Sequence, residues 1–182
     1  MFLENIVAES NSKSAPCSPH SLSFSYLCLM PIILQKTTPQ NPDYIALVKH
    51  LDAELRVMDG DEHAFYAQYN KSDEIKHVIL ASENEIPVGC GALKKYEEGT
   101  VEIKRMFVLD SCRGKGIATT ILKGLENWAK ELGFKETILE TGKNQPAALN
   151  LYKKCGYTLI PNYGQYIGKE LSICMKKSVW LI

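Results

Sequence analysis

The order of apolar patterns along this 182-residue chain predicts a mixed α/β fold. Three observations carry that expectation. Between His77 and Val108, three strand-like runs follow one another with only short polar breaks, the pattern of an antiparallel meander. The last run, Val101–Val108, leads through the turn Arg113-Gly114-Lys115-Gly116-Ile117-Ala118 into a helical pattern, with Ile117, Ile121, Leu125, Trp128 and Leu132 recurring on one face. The short run Thr137–Glu140 then needs a helical crossover to lie parallel to the strand before it. The expected architecture is a central mixed, mostly antiparallel sheet of six or seven strands flanked by about four helices.

Residues 1–29 differ in composition from the rest: rich in serine, almost free of charge after Lys13, and without periodicity. The expectation is a disordered tail or an upstream extension of the reading frame, with Met30 as the natural start. The apolar stretch Leu27–Leu34 is too short to span a membrane and is broken by Pro31. From Pro31 the pattern becomes regular, and a single domain is expected over 30–177, followed by a tail over 178–182. Ile32–Thr37, bracketed by Pro31 and Pro39, suits an edge strand. Asn41-Pro42-Asp43 signals a helix start, and Tyr44, Leu47, Val48, Leu51 and Leu55 form its apolar face. Asp59-Gly60-Asp61 breaks that helix, and a short second one carries Phe65 and Tyr66. His77–Ser82 and Ile86–Leu93 are strands of a hairpin turning at Glu83-Asn84-Glu85. Gly133 stops the central helix. Asn144 is placed to cap a helix with Pro146 in its first turn, running to Lys154 and ending at Gly156. Tyr157–Ile160 and Leu171–Met175 close the sheet.

A formal net charge of +0 gives no bulk electrostatic argument for nucleic acid or an anionic membrane surface. The six cysteines are scattered, without a Cys-x-x-Cys pair or a histidine cluster, which reads as reduced thiols of a cytoplasmic protein with no structural metal.

Strand, glycine turn and helix start together make an anion cradle: backbone N–H groups without partners, a favourable dipole and the cations Arg113 and Lys115. A Walker loop needs Ser or Thr after its lysine, where Gly116 stands; a dinucleotide fingerprint needs a small residue where Thr119 stands. What matches is Arg-x-x-Gly-x-Ala over 113–118, with a second block, Asn144-Gln145-Pro146-Ala147-Ala148-Leu149-Asn150-Leu151-Tyr152-Lys153-Lys154-Cys155-Gly156-Tyr157, later in the chain. These paired blocks resemble the GCN5-related N-acetyltransferase (GNAT) superfamily.

The resemblance implies an acetyl-CoA-dependent N-acetyltransferase with acetyl-CoA as co-substrate and no metal. Its cofactor-binding residues here would be Met106, Phe107, Val108, Arg113, Gly114, Lys115, Gly116, Ile117, Ala118, Thr119 and Asn144. It also implies a β-bulge in Val101–Val108, where the apolar phase slips by one residue between Ile103 and Met106, and a slot where that strand diverges from Thr137–Glu140. Tyr152 would be the general acid that protonates the leaving thiolate; by default a tyrosine there is a core aromatic. Glu102 would be the general base, with Glu140 as rival, and a surface carboxylate paired with Lys104 or Arg105 is the plain alternative. Asn144 would contact the pantetheine or phosphate arm, cap its own helix, or both. The acidic and aromatic stretch Arg56–Glu74 would border the acceptor pocket. The expected partner is a small-molecule primary amine, not nucleic acid or membrane, with a homodimer left open. Protein lysine or N-terminal acetylation and a non-catalytic acyl-CoA-binding regulatory module are the alternatives.

Overall fold

The computed structural model describes residues 31–69 and 74–180. Expectations for residues 1–29 and for Asp73 lie outside that range. Seven strands form one sheet in the order β1-β2-β3-β4-β5-β7-β6. They are β1 (Ile33–Thr37), β2 (Ile75–Glu83), β3 (Ile86–Glu97), β4 (Thr100–Val108), β5 (Glu136–Gly142), β6 (Thr158–Ile160) and β7 (Ser172–Ser178). Every neighbouring pair is antiparallel except β4 and β5. The helices are α1 (Pro42–Asp59), α2 (His63–Tyr69), α3 (Ile117–Glu131) and α4 (Pro146–Lys154). No helix among the described residues is long and apolar enough to cross a membrane.

Local chemistry sets most boundaries. The Asn41 side chain accepts from the N–H groups of Asp43 and Tyr44, Pro42 occupies the first turn, and Gly60 at φ 52° ends α1. Gly133, at φ 86°, lets the chain leave α3 where the sequence predicts. Two expectations change. Leu132 falls beyond α3 and is 42% exposed, while Leu122 and Ala129 are fully buried beside Ile121 and Leu125. The buried stripe is thus wider than the predicted one and is centred one position away. Asn144 does not cap α4: Gln145 holds the cap position, and no side chain bonds the first turn.

Two clusters of buried side chains cover the two faces of the sheet. On one face, Tyr44, Leu47 and Leu51 of α1 pack on Val78, Leu80, Cys90, Ala92 and Phe107. On the other, Ile117, Ile121, Leu122, Leu125 and Ala129 of α3 pack on Ile79, Val88, Leu93, Val101, Ile103 and Val108, joined by Tyr152 of α4. Each fully buried aliphatic side chain contributes about 1.5–3 kcal/mol. Gly124 explains how closely α3 sits. A Cβ there would come within 2.7 Å of Leu34 Cδ1 and 2.9 Å of Ile79 Cδ1, so contact outweighs the cost of about 1 kcal/mol for glycine inside a helix.

The edge that matters for function is between β4 and β5. They pair only at Thr100 with Glu136, Val101 with Thr137 and Glu102 with Ile138. Beyond Glu102, β4 stays with β3 (Cys90 opposite Phe107, Gly89 opposite Val108), whereas β5 follows β7 to Gly142 opposite Ser172. A bulge drives the separation. On β4 three residue steps lie between Lys104 and Phe107, against two on β3 between Ala92 and Cys90, and Arg105 takes φ 57°. The slip in apolar phase read between Ile103 and Met106 is this bulge.

Candidate active site

The parting of β4 from β5 opens a cleft of about 620 Å³. One half is made mainly of backbone. Leu109 N–H donates to Val88 on β3, so its neighbour Val108, by the alternation of a strand, turns its N–H to the opposite edge, the slot. The chain then passes a 3-10 turn over Asp110–Cys112 and enters the glycine turn, where Gly114 and Gly116 both stand at φ 80°. Gly116 precedes α3 with no side-chain cap, and Thr120 is the first residue to donate back along the helix, to Gly116 O. The N–H groups of Ile117, Ala118 and Thr119 therefore open at the cleft wall with the positive end of the dipole behind them. A Cβ on Gly114 or Gly116 would have no neighbour within 4 Å, so the space above the turn is clear for an anion.

Of the expected cofactor residues, Met106, Phe107, Val108, Arg113, Gly114, Gly116, Ile117, Ala118, Thr119 and Asn144 all line this cleft. Lys115 does not; its ammonium bonds both oxygens of Glu83 at 2.9 and 3.2 Å. Arg113 lines the cleft but is already engaged, with Nη2 donating to both oxygens of Glu54 at 2.7 and 2.8 Å.

The other half is made of side chains from distant parts of the chain. Leu55, Met58 and Asp59 of α1, Tyr66 of α2, Lys104 of β4, Glu140 of β5, and Tyr166 and Leu171 meet there. Burial raises the carboxyl pKa of Glu140 above its ordinary value, against lowering by a Ser172 hydrogen bond and by the charge of Lys104. Burial likewise raises that of Asp59, which is opposed by its contact with His63 at 3.4 Å. Glu74, from the same acidic stretch, pairs instead with Lys94.

The two candidate bases differ in setting. Glu140 lines the cleft. Glu102 is 2% exposed, lies in the part of β4 still paired with β5, and is not on the cleft wall. Its Oε1 accepts from Tyr163 Oη at 2.9 Å and lies 3.5 Å from Lys104 Nζ, which in turn donates to Tyr166 Oη at 2.8 Å. Nothing in the sequence marks Tyr163 and Tyr166 as its neighbours, because they come from a loop about 60 residues on. Burial, then the charge of Glu102, pushes both phenols up.

Tyr152 and Glu140 line the same cleft. Tyr152 is 6% exposed, its ring stands edge-on to Tyr157, and its hydroxyl has no hydrogen-bond partner among the described residues. Burial first, then the charge of Glu140, raises its pKa, so the phenol keeps its proton. A cleft lined by a backbone anion cradle, a protonated phenol and a buried carboxylate fits a thioester donor with a phosphate-bearing tail.

Comparison with known proteins agrees. The family model for the acetyltransferase (GNAT) family matches residues 44–157. The chain is 30% identical over 149 residues to an IAA acetyltransferase of Azospirillum brasilense, covering 80% of this chain and 97% of that protein. Among solved structures, a Klebsiella pneumoniae protein described as an acyl-CoA N-acyltransferase superposes with a TM-score of 0.69 at 28% identity, over 82% of this chain and 98% of its own. A GNAT family acetyltransferase of Elizabethkingia anophelis, solved with acetyl-CoA bound, shares the fold at a TM-score of 0.60 and 22% identity, over 81% of this chain and 97% of its own. With its mixed sheet, bulged strand, glycine turn and matched family model, the chain belongs to the acetyltransferase (GNAT) family.

Proposed function

We propose that the protein transfers the acetyl group of acetyl-CoA to the primary amine of a small molecule, by direct attack while both substrates are bound. The observation that carries this reading is Tyr152: a phenol that burial and the charge of Glu140 keep protonated, lining the same cleft as Glu140 and the anion cradle. The glycine turn and the start of α3 would take the pyrophosphate on backbone N–H groups. The open edge of β4 would take the pantetheine arm, with Asn144 on the opposite wall.

An alkylamine has a pKa near 10.4, so fewer than about one molecule in a thousand is free base at pH 7. A base is needed; Glu54, Asp59 and Glu140 line the cleft, but Glu54 is held by Arg113 and Asp59 contacts His63, which leaves Glu140. The sequence favours Glu102 with Glu140 as rival; the buried bond of Glu102 to Tyr163 and its absence from the cleft wall favour Glu140 instead. The amine nitrogen forms a bond to the thioester carbon and its proton passes to Glu140, directly or through a water. Val108 N–H faces the charge that develops on the carbonyl oxygen. As the carbon–sulfur bond breaks, Tyr152 gives its proton to the sulfur and is reprotonated from the solvent. Apolar Leu55, Met58 and Leu171 leave room for a compact organic amine beside these groups.

Thiol release from acetyl-CoA over a panel of small amines, amino acids and peptides tests the reading. Release with small primary amines is expected. Release only with peptides or proteins would move the acceptor to protein, and coenzyme A binding with no release against any amine would leave a binding module.

A further inference from the structure

All three nitrogens of the Arg113 guanidinium bond to the protein. Nε donates to Val108 O at 3.0 Å, Nη1 to Asp110 at 3.1 Å, and Nη2 to both oxygens of Glu54 at 2.7 and 2.8 Å, while one face lies over the Phe107 ring at 5.8 Å. Lys115 is held by Glu83. Around the turn, two cations therefore face three carboxylates, and the side chains add no net positive charge. Asp110 is 88% exposed and off the cleft wall, and Glu83 is off it too. Glu54, brought in by α1 from 59 positions away, lines the cleft beside Gly114 and Gly116. Both oxygens of Glu54 gather on the single nitrogen Nη2, so the carboxylate occupies N–H groups that a phosphate oxygen could otherwise accept from.

We infer that Glu54 is a built-in competitor for the donor: its carboxylate holds the edge of Arg113 that phosphate oxygens would take, and so sets the affinity of the nucleotide end of coenzyme A. The inference rests on the reading that the turn receives the pyrophosphate. Binding must then displace Glu54 or leave a carboxylate beside the phosphates. Either outcome weakens binding relative to a neutral residue at that position, so donor affinity owes more to backbone N–H groups than to the conspicuous cations. The contact is half-exposed, so its effect should be modest and should shrink with salt.

Calorimetric titration of coenzyme A and of pantetheine into the wild type and Glu54→Gln tests this. Coenzyme A should bind Glu54→Gln about 3- to 10-fold more tightly at low salt, the scale of one exposed ion pair released and one repulsion removed. Pantetheine, which lacks the pyrophosphate, should bind both proteins alike. Glu54→Ala should behave as Glu54→Gln, and in an Arg113→Gln background the gain should shrink to what the lost repulsion alone supplies. Unchanged or weaker binding of coenzyme A to a Glu54→Gln protein that melts like the wild type would overturn the inference, as would an equal gain for pantetheine. Failure of the wild type to bind coenzyme A at all would be a different result, removing the pyrophosphate reading and this inference with it.

Discussion

The two halves of the cleft are built on different principles. The donor half is continuous chain: β4, the 3-10 turn, the glycine turn and the first turn of α3 follow one another from Met106 to Thr119. It presents backbone, so its chemistry depends on conformation more than on side-chain identity. The acceptor half gathers Leu55, Asp59, Tyr66, Lys104, Glu140 and Tyr166 from five places in the chain. It presents side chains, so its chemistry depends on which groups face which. The first half is suited to a donor of fixed structure, and the second is free to change acceptor without disturbing the first.

Four experiments would break or sharpen this contrast. The largest effect belongs to Glu140. Glu140→Gln should reduce turnover by roughly 10²- to 10⁴-fold at neutral pH, the usual range for a lost general base, and by less as pH rises and the amine loses its proton unaided. The pH profile of the wild type should rise through a value above the ordinary carboxylate range, since burial raises the Glu140 pKa. The sign on stability is opposite. A carboxyl whose pKa is raised by folding binds its proton more tightly in the native state, so the native state loses relative stability as pH climbs past the unfolded value. Glu140→Gln should therefore melt higher than the wild type at pH 7 and no higher at pH 3. A Glu140→Gln enzyme with wild-type turnover and pH profile would return the role of base to Glu102.

Tyr152→Phe should come next, with turnover lower by roughly 10- to 1,000-fold and coenzyme A affinity nearly unchanged, because only a hydroxyl without a protein partner is deleted. The leaving thiol, with a pKa near 8.5, needs a proton donor less than an alkoxide would. Full turnover in an assay limited by chemistry would assign the proton to water.

Gly116→Val tests the backbone half. With φ at 80° and nothing within 4 Å of the new Cβ, the cost to folding is backbone strain of about 1–2 kcal/mol without a clash. The branched side chain fills the cradle, so acetyl-CoA affinity should fall by more than about 10-fold in calorimetry while the fold survives. Equal affinity in variant and wild type would mean that the turn does not meet the phosphates.

The smallest effect on chemistry is expected at Glu102. Glu102→Gln keeps the shape but replaces a charged acceptor for Tyr163 and Lys104 with a neutral one, at a cost of about 1–3 kcal/mol in stability. Turnover per folded molecule should drop far less than in Glu140→Gln. A loss as deep as that of Glu140→Gln, with the same relief at high pH, would make the two carboxylates partners in one proton path.

The contrast between the halves is also the line between what could be read early and what could not. The bulge showed as a one-residue slip between Ile103 and Met106, but a strand buried on both faces near its end breaks phase in the same way, and the family resemblance decided for the bulge. The turn was legible because Gly114, Gly116 and an amphipathic helix start are local signals, and the residues expected to bind the donor, all but Lys115, line one cleft. The cap expected at Asn144 moved to Gln145, since capping depends on φ and ψ at one residue and two adjacent polar residues look alike in sequence.

By itself, the sequence determined the order of strands and helices and the glycine turn, which follow from spacing within a few residues, and its resemblance to the GNAT superfamily named the candidates Tyr152, Glu102 and Glu140. The tertiary structure alone decided three things. Glu102 turns to Tyr163 while Glu140 lines the cleft, Glu54 reaches Arg113, and Lys115 is drawn off to Glu83. Each is a contact between residues 32 to 61 positions apart, and which of several equivalent charges meet is settled by how α1 and the sheet pack, a free energy of buried area that no local pattern records.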